Sequence, residues 1–310
     1  MNLDSSISIA KKLNIDGKFV ALTPINFGRN SRNFKISSNK QDYLLKSFRH
    51  HYDGKERFQR EKFCLSLGNK LDIQNMPRLI TFDEDELQIL CEFIVGEHVS
   101  MPSLEFEDSI FSFIANLNSN PEFLKYSLNA KDAYLNDFNI LNDINLRISK
   151  IARTIDETYR DDFHKIVKLF DKLMLNFPIN RLLIQEKQFV DKFQPIFSPS
   201  DVGIHNSMVK ENRFFFFDFE YSGMDSIVKL ALDYSSNPQN SQNSVDCRLI
   251  ERLDQNHLLH KSSNLFDWLL PLRNYFLVKW SLICLTACLK DSNDFDAYAN
   301  LKSSVNAIEF

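Results

Sequence analysis

The sequence of 310 residues has few cysteines, few glycines and no long uncharged apolar run, and each shortage excludes a class of protein. The five cysteines are odd in number and contain no CxxC pair, which argues against a disulfide framework and a zinc ribbon. No basic region followed by an apolar stretch opens the chain, so no secretory signal peptide is expected. The longest uncharged run in the most apolar segment, residues 280–289, is shorter than the ~20 residues of a membrane helix. We therefore expect a cytoplasmic protein with reduced cysteines and no membrane insertion.

Charge and composition narrow the class further. A formal net charge of -4 gives no general attraction to nucleic acid, so a nucleic-acid partner is not expected. Hydrophobic residues make up 44% and charged residues 25% of the chain, which is typical of a folded globular protein. At roughly 150 residues per domain, the length suggests about two domains. With seven glycines in all, each is expected where the backbone specifically requires one.

Hydrophobic periodicity divides the chain into a strand-rich beginning and a helical remainder. The beginning is predicted to contain a helix at 5–13, strands at 19–23, 33–37 and 42–47, a helix at 55–70, and strands at 77–82 and 87–95. The remainder is predicted to contain a loop and strand region at 195–218 and helices at 104–117, 148–176, 179–193, 246–259 and 265–288. The expected class is α+β, with one domain at 1–95 and another at 96–310.

The densest polar signal lies in a loop and in the strand and turn that follow it. Asp201 and Asn206 are five residues apart in the loop, and Asp218 follows a run of four phenylalanines. Phosphoryl transfer needs a carboxylate that orients an attacking hydroxyl and accepts its proton. It also needs an amide oxygen and a second carboxylate to hold Mg²⁺ on the nucleotide phosphates. These three residues supply the required groups.

This pattern resembles the catalytic and metal-binding motifs of the aminoglycoside phosphotransferase and choline kinase superfamily, which has a protein-kinase-like fold. The Asp-Phe-Glu-Tyr string at 218–221 is similar to that of choline and ethanolamine kinases. The resemblance implies a bilobal fold, with an N-terminal antiparallel sheet carrying one main helix and a mostly helical C-terminal lobe. It also implies ATP and Mg²⁺ as cofactors, Asp201 as the catalytic residue, and Asn206 and Asp218 as metal ligands.

The N-terminal part fits the same resemblance. Residues 28–36 are similar to the turn that covers the nucleotide, which assigns Gly28, Asn30 and Ser31 to phosphate binding. Lys46 falls on the third strand, where such kinases keep the lysine that contacts the nucleotide phosphates.

Three further positions complete the resemblance. The helix after the third strand carries Glu56 and Glu61, either of which could pair with Lys46, and Glu61 is preferred. Residues 92–96 resemble the hinge whose backbone binds adenine, which assigns Glu92 and Ile94 to nucleotide binding. Asp233 resembles the structural aspartate that braces the catalytic loop.

Two features depart from the family pattern. Pro199 stands two residues before Asp201, where family members usually carry a histidine that braces the loop. The nucleotide-covering turn has a single glycine, Gly28, which suits small-molecule kinases better than the Gly-rich loop of protein kinases. Neither departure removes a catalytic group.

Some polar residues have a structural interpretation beside a functional one. Glu220 could assist a second metal, meet the substrate or make a structural hydrogen bond. His205 is interpreted as a loop-packing residue, because Asp201 already fills the role of base. His257 and His260 lie three residues apart on a predicted helix and indicate a solvated face more than a metal site.

Aromatic residues also leave one alternative open. Tyr221, Trp268 and Trp280 could form a cage for a quaternary ammonium group through cation–π attraction. Core packing is the favoured role of both tryptophans, so this interpretation is secondary.

The expected function is ATP-dependent transfer of phosphate to a hydroxyl of a small molecule. A sugar or amino sugar, as in an aminoglycoside, is favoured as acceptor over an amino alcohol such as choline. The alternative is a catalytically inactive pseudokinase that binds nucleotide or acts as a scaffold, as the missing histidine and the single turn glycine would allow. Lys46, Asp201, Asn206 and Asp218 favour the enzyme, since a scaffold has no physical need for all four.

Overall fold

A computed structural model of the chain describes most of its residues, in two compact units that are each discontinuous in sequence. The described residues are 19–25, 31–119, 125, 128–134, 140–178, 195–240, 265–291 and 294–308. The first unit comprises Met1–Ser100, Ser112–Lys131 and Pro199–Gly223, and the second comprises Met101–Phe111, Asp132–Ser198 and Met224–Phe310. The predicted domain boundary between residues 95 and 96 remains a prediction.

The first unit is built on a five-stranded antiparallel sheet in the order β1-β2-β3-β5-β4. Its strands are β1 (Phe19–Ile25), β2 (Arg32–Ser38), β3 (Asp42–Ser47), β4 (Leu79–Asp83) and β5 (Gln88–Glu92). One helix, α1 (Gly54–Lys70), connects β3 to β4. This is the α+β arrangement expected for the beginning of the chain.

Strand alternation explains why Lys46 faces away from the sheet's apolar cluster. Tyr43 and Leu45 on β3 are buried with Ile36 and Leu90 in one hydrophobic cluster. Because successive side chains on a strand point to opposite faces, Lys46 projects from the other face of β3. That face carries α1, whose Glu61 contacts the Lys46 ammonium.

A second, three-stranded sheet in the same unit carries the polar loop. It is formed by β6 (Glu97–His98), β8 (Ser207–Lys210) and β9 (Arg213–Phe216) in the order β6-β8-β9. Gly96 stands immediately before β6 and lies close to the backbone of β8. A Cβ at this position would be 2.5 Å from the Val209 carbonyl oxygen. The glycine is therefore required by the approach of two backbones rather than by a turn.

The second unit is mainly helical. Its helices are the first part of α2 (Leu104–Asn118), then α3 (Ile140–Ile151), α4 (Arg160–Asn176), α5 (Ile227–Ser236), α6 (Leu265–Lys290) and α7 (Phe295–Asn306). The long α6 is central, because α3, α4, α5 and α7 all pack against it. Strands β7 (Pro195–Ser198) and β10 (Gly223–Ser226) pair beside these helices.

Helix α6 contains a stretch, Leu272–Lys290, that is long and apolar enough to cross a membrane by composition alone. Within the protein, however, 72% of this stretch is buried. A core helix of a soluble protein satisfies the same criteria of length and hydropathy, so the stretch is weak support for a membrane span. The four cysteines at described positions, Cys64, Cys91, Cys284 and Cys288, are buried and unpaired, as the odd count suggested.

Several sequence predictions differ from the structure. The single helix predicted at 148–176 is wrong, because the chain leaves the helix after Ile151 and starts α4 at Arg160. Asp156 explains the new start: its side chain accepts a hydrogen bond from the Tyr159 backbone N–H and caps a short 3₁₀ turn, Glu157–Tyr159. The strand predicted at 87–95 ends at Glu92. Helices α5 and α7 and the first two turns of α3 were not predicted.

Other predictions fall on residues outside the described part of the chain. These are the helices at 5–13, 179–193 and 246–259, the nucleotide-turn residues Gly28 and Asn30, and the histidines His257 and His260. They remain predictions.

Asp233 belongs to a buried charged cluster of the second unit. Its carboxylate pairs with Lys279 at 2.9 Å and with Lys229 at 3.2 Å. Lys229 also contacts Asp225 at 3.0 Å, and both lysines are almost completely buried. Burial alone would raise the pKa of Asp233, but the charges of Lys279 and Lys229 outweigh it and hold this pKa below its ordinary value.

Because both lysines would lose a buried counter-ion, Asp233→Asn is expected to lower the free energy of unfolding by about 3–5 kcal/mol at pH 7. A carboxylate with a depressed pKa stabilises the fold above its unfolded pKa of about 3.9 and ceases to do so as pH falls through its lower folded value. The difference between wild type and variant should therefore shrink below about pH 4 in urea titrations. Asp162→Asn is the matched control, because its partner Lys302 is half-exposed and the expected loss is under about 1 kcal/mol. Equal losses in the two variants would contradict a stabilising buried cluster.

Candidate active site

Lys46, Glu61 and Asp218 come together in the first unit from three distant parts of the chain. The Lys46 ammonium lies 2.9 Å from both carboxylate oxygens of Glu61 on α1 and 2.5 Å from Oδ1 of Asp218, which follows β9. Lys46 and Glu61 are 4% and 2% exposed, whereas the Asp218 side chain is 31% exposed. The buried Lys46–Glu61 ion pair is thus in contact with the Asp218 carboxylate, which is partly exposed to solvent.

Both carboxylates stabilise the charge of the Lys46 ammonium, while they repel each other. Burial alone would lower the pKa of Lys46, but Asp218 and Glu61 outweigh it and raise this pKa well above its ordinary value. Burial and the neighbouring Asp218 raise the pKa of Glu61, while Lys46 opposes the rise. Glu56, the other acidic residue considered as the partner of Lys46, is instead exposed and contacts Arg60 at 3.3 Å. The preference for Glu61 is therefore correct.

The polar loop between β7 and β8 is held by its own hydrogen bonds. The Asn206 amide Nδ2 donates to the Asp201 carbonyl at 2.8 Å, so its Oδ1 faces away from that carbonyl. The Asn206 carbonyl in turn accepts from the Phe217 backbone N–H at 3.1 Å. These two bonds join Asp201, Asn206 and Phe217, the residue before Asp218. The three predicted site residues on this part of the chain are therefore linked by hydrogen bonds.

Phenylalanines before and after Asp218 pack its turn against α2. Phe216 stacks on Phe113 with ring centroids 4.9 Å apart, and Phe219 lies 5.9 Å from the same ring. Asp218 between them adopts a φ of 68°, in the left-handed region that aspartate enters more readily than most non-glycine residues. Apolar packing on both sides of Asp218 holds its turn against α2.

His205 contacts the predicted catalytic residue. Its Nε2 lies 3.0 Å from the Asp201 carboxylate, and the imidazole is mostly buried. Burial would lower the pKa of His205, but the charge and hydrogen bond of Asp201, with a contribution from Asp218, raise it above its ordinary value. His205 is therefore a loop-packing residue, as predicted, that also orients the Asp201 carboxylate.

A second charged cluster, which the sequence analysis missed, lies beside this group. Arg57 on α1 donates to Glu220 at 2.5 Å and to Asp53 at 2.5 Å, and Asp53 also contacts Lys131 and His51. Asp53, Arg57 and Glu61 recur at four-residue intervals, which puts them on one side of α1. That spacing of alternating charge is the sequence signal that could have revealed the cluster.

The same cluster bears on the aromatic cage considered for a quaternary ammonium ligand. The Tyr221 ring is already approached by two cations, Arg57 at 4.6 Å and Lys131 at 5.5 Å from the ring centroid. Trp280 lies partly buried on the core helix α6, and the side chain of Trp268 is outside the described part of the structure. Tyr221 therefore uses its ring for internal contacts.

The remaining predicted nucleotide-binding residues lie on the five-stranded sheet or next to it. Ser31 precedes β2, and its hydroxyl donates to Asn33 at 3.0 Å. Glu92 is the last residue of β5, and Ile94 is buried in the irregular segment before β6. The structure brings none of these three into a described contact with Lys46.

Sequence comparisons and fold comparisons give different outcomes. No family model and no curated protein sequence matches the chain. A choline kinase from Cryptosporidium parvum Iowa II matches its structure with a TM-score of 0.65 at 17% identity, covering 98% of this chain and 94% of the other. Choline kinase LicA from Streptococcus pneumoniae matches with a TM-score of 0.61 at 15% identity, covering 98% and 99%. APH(2")-IIa in its gentamicin complex matches with a TM-score of 0.61 at 16% identity, covering 100% and 97%.

The chain has the fold of the choline kinases and aminoglycoside phosphotransferases. The α+β class and the kinase-like architecture expected from the sequence are thereby confirmed. Because the identities stay below 20%, the likeness establishes the fold and leaves the chemistry to the residues of the site.

The site residues of this kinase-like fold are chemically suited to Mg²⁺. Hard divalent cations prefer carboxylate and amide oxygens, which Asp218 and the Oδ1 of Asn206 provide. Among the described residues no group of three or more His, Cys, Asp and Glu side chains could hold a metal by itself. Two protein ligands completed by phosphate and water are the usual arrangement for Mg²⁺ bound with a nucleotide.

Removing the Glu61 charge tests whether Lys46 depends on it. Glu61→Gln leaves Asp218 as the carboxylate in direct contact with the buried ammonium, and we expect a loss of about 1.5–3 kcal/mol in unfolding free energy. Glu56→Gln, on the same helix but paired with Arg60 at the surface, should cost less than about 1 kcal/mol. Urea unfolding of both variants gives the comparison, and a larger loss in Glu56→Gln would refute the assignment.

Proposed function

We propose that this chain is an ATP-dependent phosphotransferase that acts on a hydroxyl of a small molecule. The observation that carries the proposal is the contact of Lys46 with both Glu61 and Asp218, beside a loop that holds Asp201 and Asn206. A strand lysine paired with a helix glutamate, near a carboxylate that can hold Mg²⁺, is the arrangement that protein kinases use for phosphoryl transfer.

The nucleotide would be held by the sheet of the first unit and the segment after it. Gly28, Asn30 and Ser31 are proposed to cover the phosphates, and Lys46 to contact them. Backbone groups of Glu92 and Ile94 are proposed to hydrogen-bond adenine. Known structures with this fold support nucleotide binding, since APH(2")-IIa has been solved as a streptomycin–ATP complex and APH(4)-Ia with ADP and hygromycin B.

Asn206 and Asp218 would hold Mg²⁺ through Oδ1 and a carboxylate oxygen. When bound, Mg²⁺ would neutralise charge on the phosphates. Oδ1 of Asp218 accepts a hydrogen bond from Lys46, so the Asp218 carboxylate would contact both the lysine and the Mg²⁺ ion. Lys46 would thereby couple the phosphate position to the orientation of Asp218.

Asp201 is proposed to act on the acceptor. Its carboxylate orients the substrate hydroxyl and accepts the proton while the hydroxyl oxygen bonds to the γ-phosphorus and the bond to ADP breaks. His205, at 3.0 Å from Oδ1, holds the carboxylate in place. Pro199 leaves the loop without the usual bracing histidine, and the hydrogen bonds of Asn206 and His205 brace it instead.

The acceptor is proposed to be a sugar or amino-sugar hydroxyl, with an amino alcohol as second candidate. Neighbouring structures include both substrate types, as gentamicin complexes and choline kinases. The Tyr221 ring contacts Arg57 and Lys131, which leaves it unsuited to caging a quaternary ammonium. We also propose a domain boundary at Gly96. A cytoplasmic location is proposed as well, because buried free thiols are typical of a reducing compartment.

The pseudokinase alternative differs in a measurable way. It keeps nucleotide binding and loses transfer, so thermal stabilisation by Mg²⁺-ATP would occur without labelled product. Its support is Pro199 in place of the histidine and the single glycine, Gly28, in the nucleotide-covering turn. The intact hydrogen bonding of Asp201 and Asn206 favours a working site.

A panel of hydroxyl-bearing metabolites with γ-labelled ATP identifies the acceptor and tests the roles of the two aspartates. Asp201→Asn should lower kcat by roughly 10²–10⁴ while Mg²⁺-ATP still stabilises the protein. Asp218→Asn should also abolish the Mg²⁺-dependent part of that stabilisation.

Glu211→Gln is the control for these variants, because Glu211 lies exposed in the turn between β8 and β9. Undiminished transfer by Asp201→Asn would refute the role given to that residue. A wild-type protein that neither transfers phosphate nor responds to Mg²⁺-ATP would refute the kinase proposal.

A further inference from the structure

Helix α1 reaches the turn around Asp218 with two side chains of opposite charge. Glu61 binds Lys46, which binds Asp218 at 2.5 Å. One turn earlier on the same helix, Arg57 binds Glu220 at 2.5 Å, two residues after Asp218. Helix α1 is therefore linked to both carboxylates of the turn, Asp218 and Glu220, which are separated by one residue. The link to Asp218 passes through Lys46, and the link to Glu220 is direct.

The Arg57 contact is buried and uses the planar geometry of the guanidinium group. Arg57 and Glu220 are 2% and 1% exposed. Nη1 donates to Glu220 while Nε donates to Asp53, and the guanidinium lies 4.6 Å from the centre of the Tyr221 ring. A lysine at this position would present a point charge instead of a planar fork, so it could not donate two hydrogen bonds in one fixed plane while that plane stacks on the ring.

A short segment of the first unit closes the other side of the turn. The Lys131 backbone N–H donates to the Tyr221 carbonyl at 3.0 Å, and the Lys131 ammonium binds Asp53. A Cβ at Gly223 would collide with the backbone of Asn129 and Ala130. The turn is thus held between α1 and residues 129–131, and Arg57 lies where these contacts meet.

We propose that Arg57 is a positioning residue for Asp218, acting through Glu220. The inference rests on the proposed function, because it assigns Asp218 to Mg²⁺. Glu220 would then be a residue that fixes the turn rather than a second metal ligand. Its pairing with Arg57 compensates the second carboxylate of the turn, so the turn can be buried with Asp218 directed toward the site.

The test compares Arg57→Met with Lys62→Met on the same helix. Lys62 also makes an ion pair, with Glu84 at 2.7 Å, but that pair does not touch the turn. In the ligand-free protein, hydrogen–deuterium exchange of the Phe217 and Ser222 amides should accelerate at least tenfold in Arg57→Met and remain at the wild-type rate in Lys62→Met. These amides bond within the turn and to the polar loop, so their exchange reports its order directly.

Metal dependence provides the second readout. The Mg²⁺ concentration for half-maximal stabilisation by ADP should rise about 10- to 100-fold in Arg57→Met, as expected for a residue that orients a metal ligand, and the effect of ADP without Mg²⁺ should not change. Loss of kcat should exceed any change in KM for ATP. Arg57→Lys should give an exchange rate between those of the wild type and Arg57→Met, because it keeps the positive charge and loses the planar donor geometry and the stacking on Tyr221.

If Arg57→Met does not fold, Arg57→Met/Glu220→Gln removes both charges of the pair and serves in its place, with the same accelerated exchange expected. A folded variant with wild-type exchange at Phe217 and Ser222 and a wild-type Mg²⁺ midpoint would overturn the proposal. A wild-type protein that ignores Mg²⁺ and nucleotide would instead refute the proposed function, and the exchange comparison would still decide whether Arg57 orders the turn.

Discussion

The structure of the first unit depends on one buried ammonium group, that of Lys46. An ammonium taken out of water costs several kcal/mol unless opposite charge and hydrogen bonds replace its hydration. The sheet cannot supply that charge, because the neighbours of Lys46 on β3 are apolar or small. Glu61 from α1 and Asp218 from the turn after β9 supply it. Helix α1 and the turn at Asp218, which is 172 residues from Lys46 in sequence, must therefore both pack against the sheet. The same packing brings the candidate site residues together.

Compensation of charge also explains how an acidic turn can be partly buried, with Glu220 inside the protein and Asp218 still in reach of solvent. Asp218 and Glu220 would repel each other in a low-dielectric environment. Each has its own cation, Lys46 for Asp218 and Arg57 for Glu220, and the phenylalanines around them pack on Phe113. The left-handed backbone at Asp218 is held by contacts on both sides. The ion pair with Lys46 and the packing of the neighbouring phenylalanines thus both act on Asp218, the residue proposed to hold Mg²⁺.

Much of the fold could be predicted because its signals are local. The β2–β3 hairpin follows from two short apolar strands around a polar turn, where the Ser38 hydroxyl bonds to the Gln41 carbonyl. The helix from 148 to 176 was wrongly drawn as continuous, because apolar periodicity persists through a break that is made by one capping aspartate, Asp156. Helix α5 was missed because eight of its ten residues are buried, the charged Lys229 among them, so burial in this helix does not follow the division into polar and apolar residues.

The sequence by itself determined which chemical groups are present and in what order: a strand lysine, a helix glutamate, and a loop with an aspartate, an asparagine and a later aspartate. These follow from residue type, spacing and strand or helix periodicity, which act over a few residues. Only the tertiary structure decided between Glu56 and Glu61, paired Arg57 with Glu220, and gave Asp233 two lysine partners. Such pairings depend on which side chains share a buried volume, and that is set by how distant segments pack.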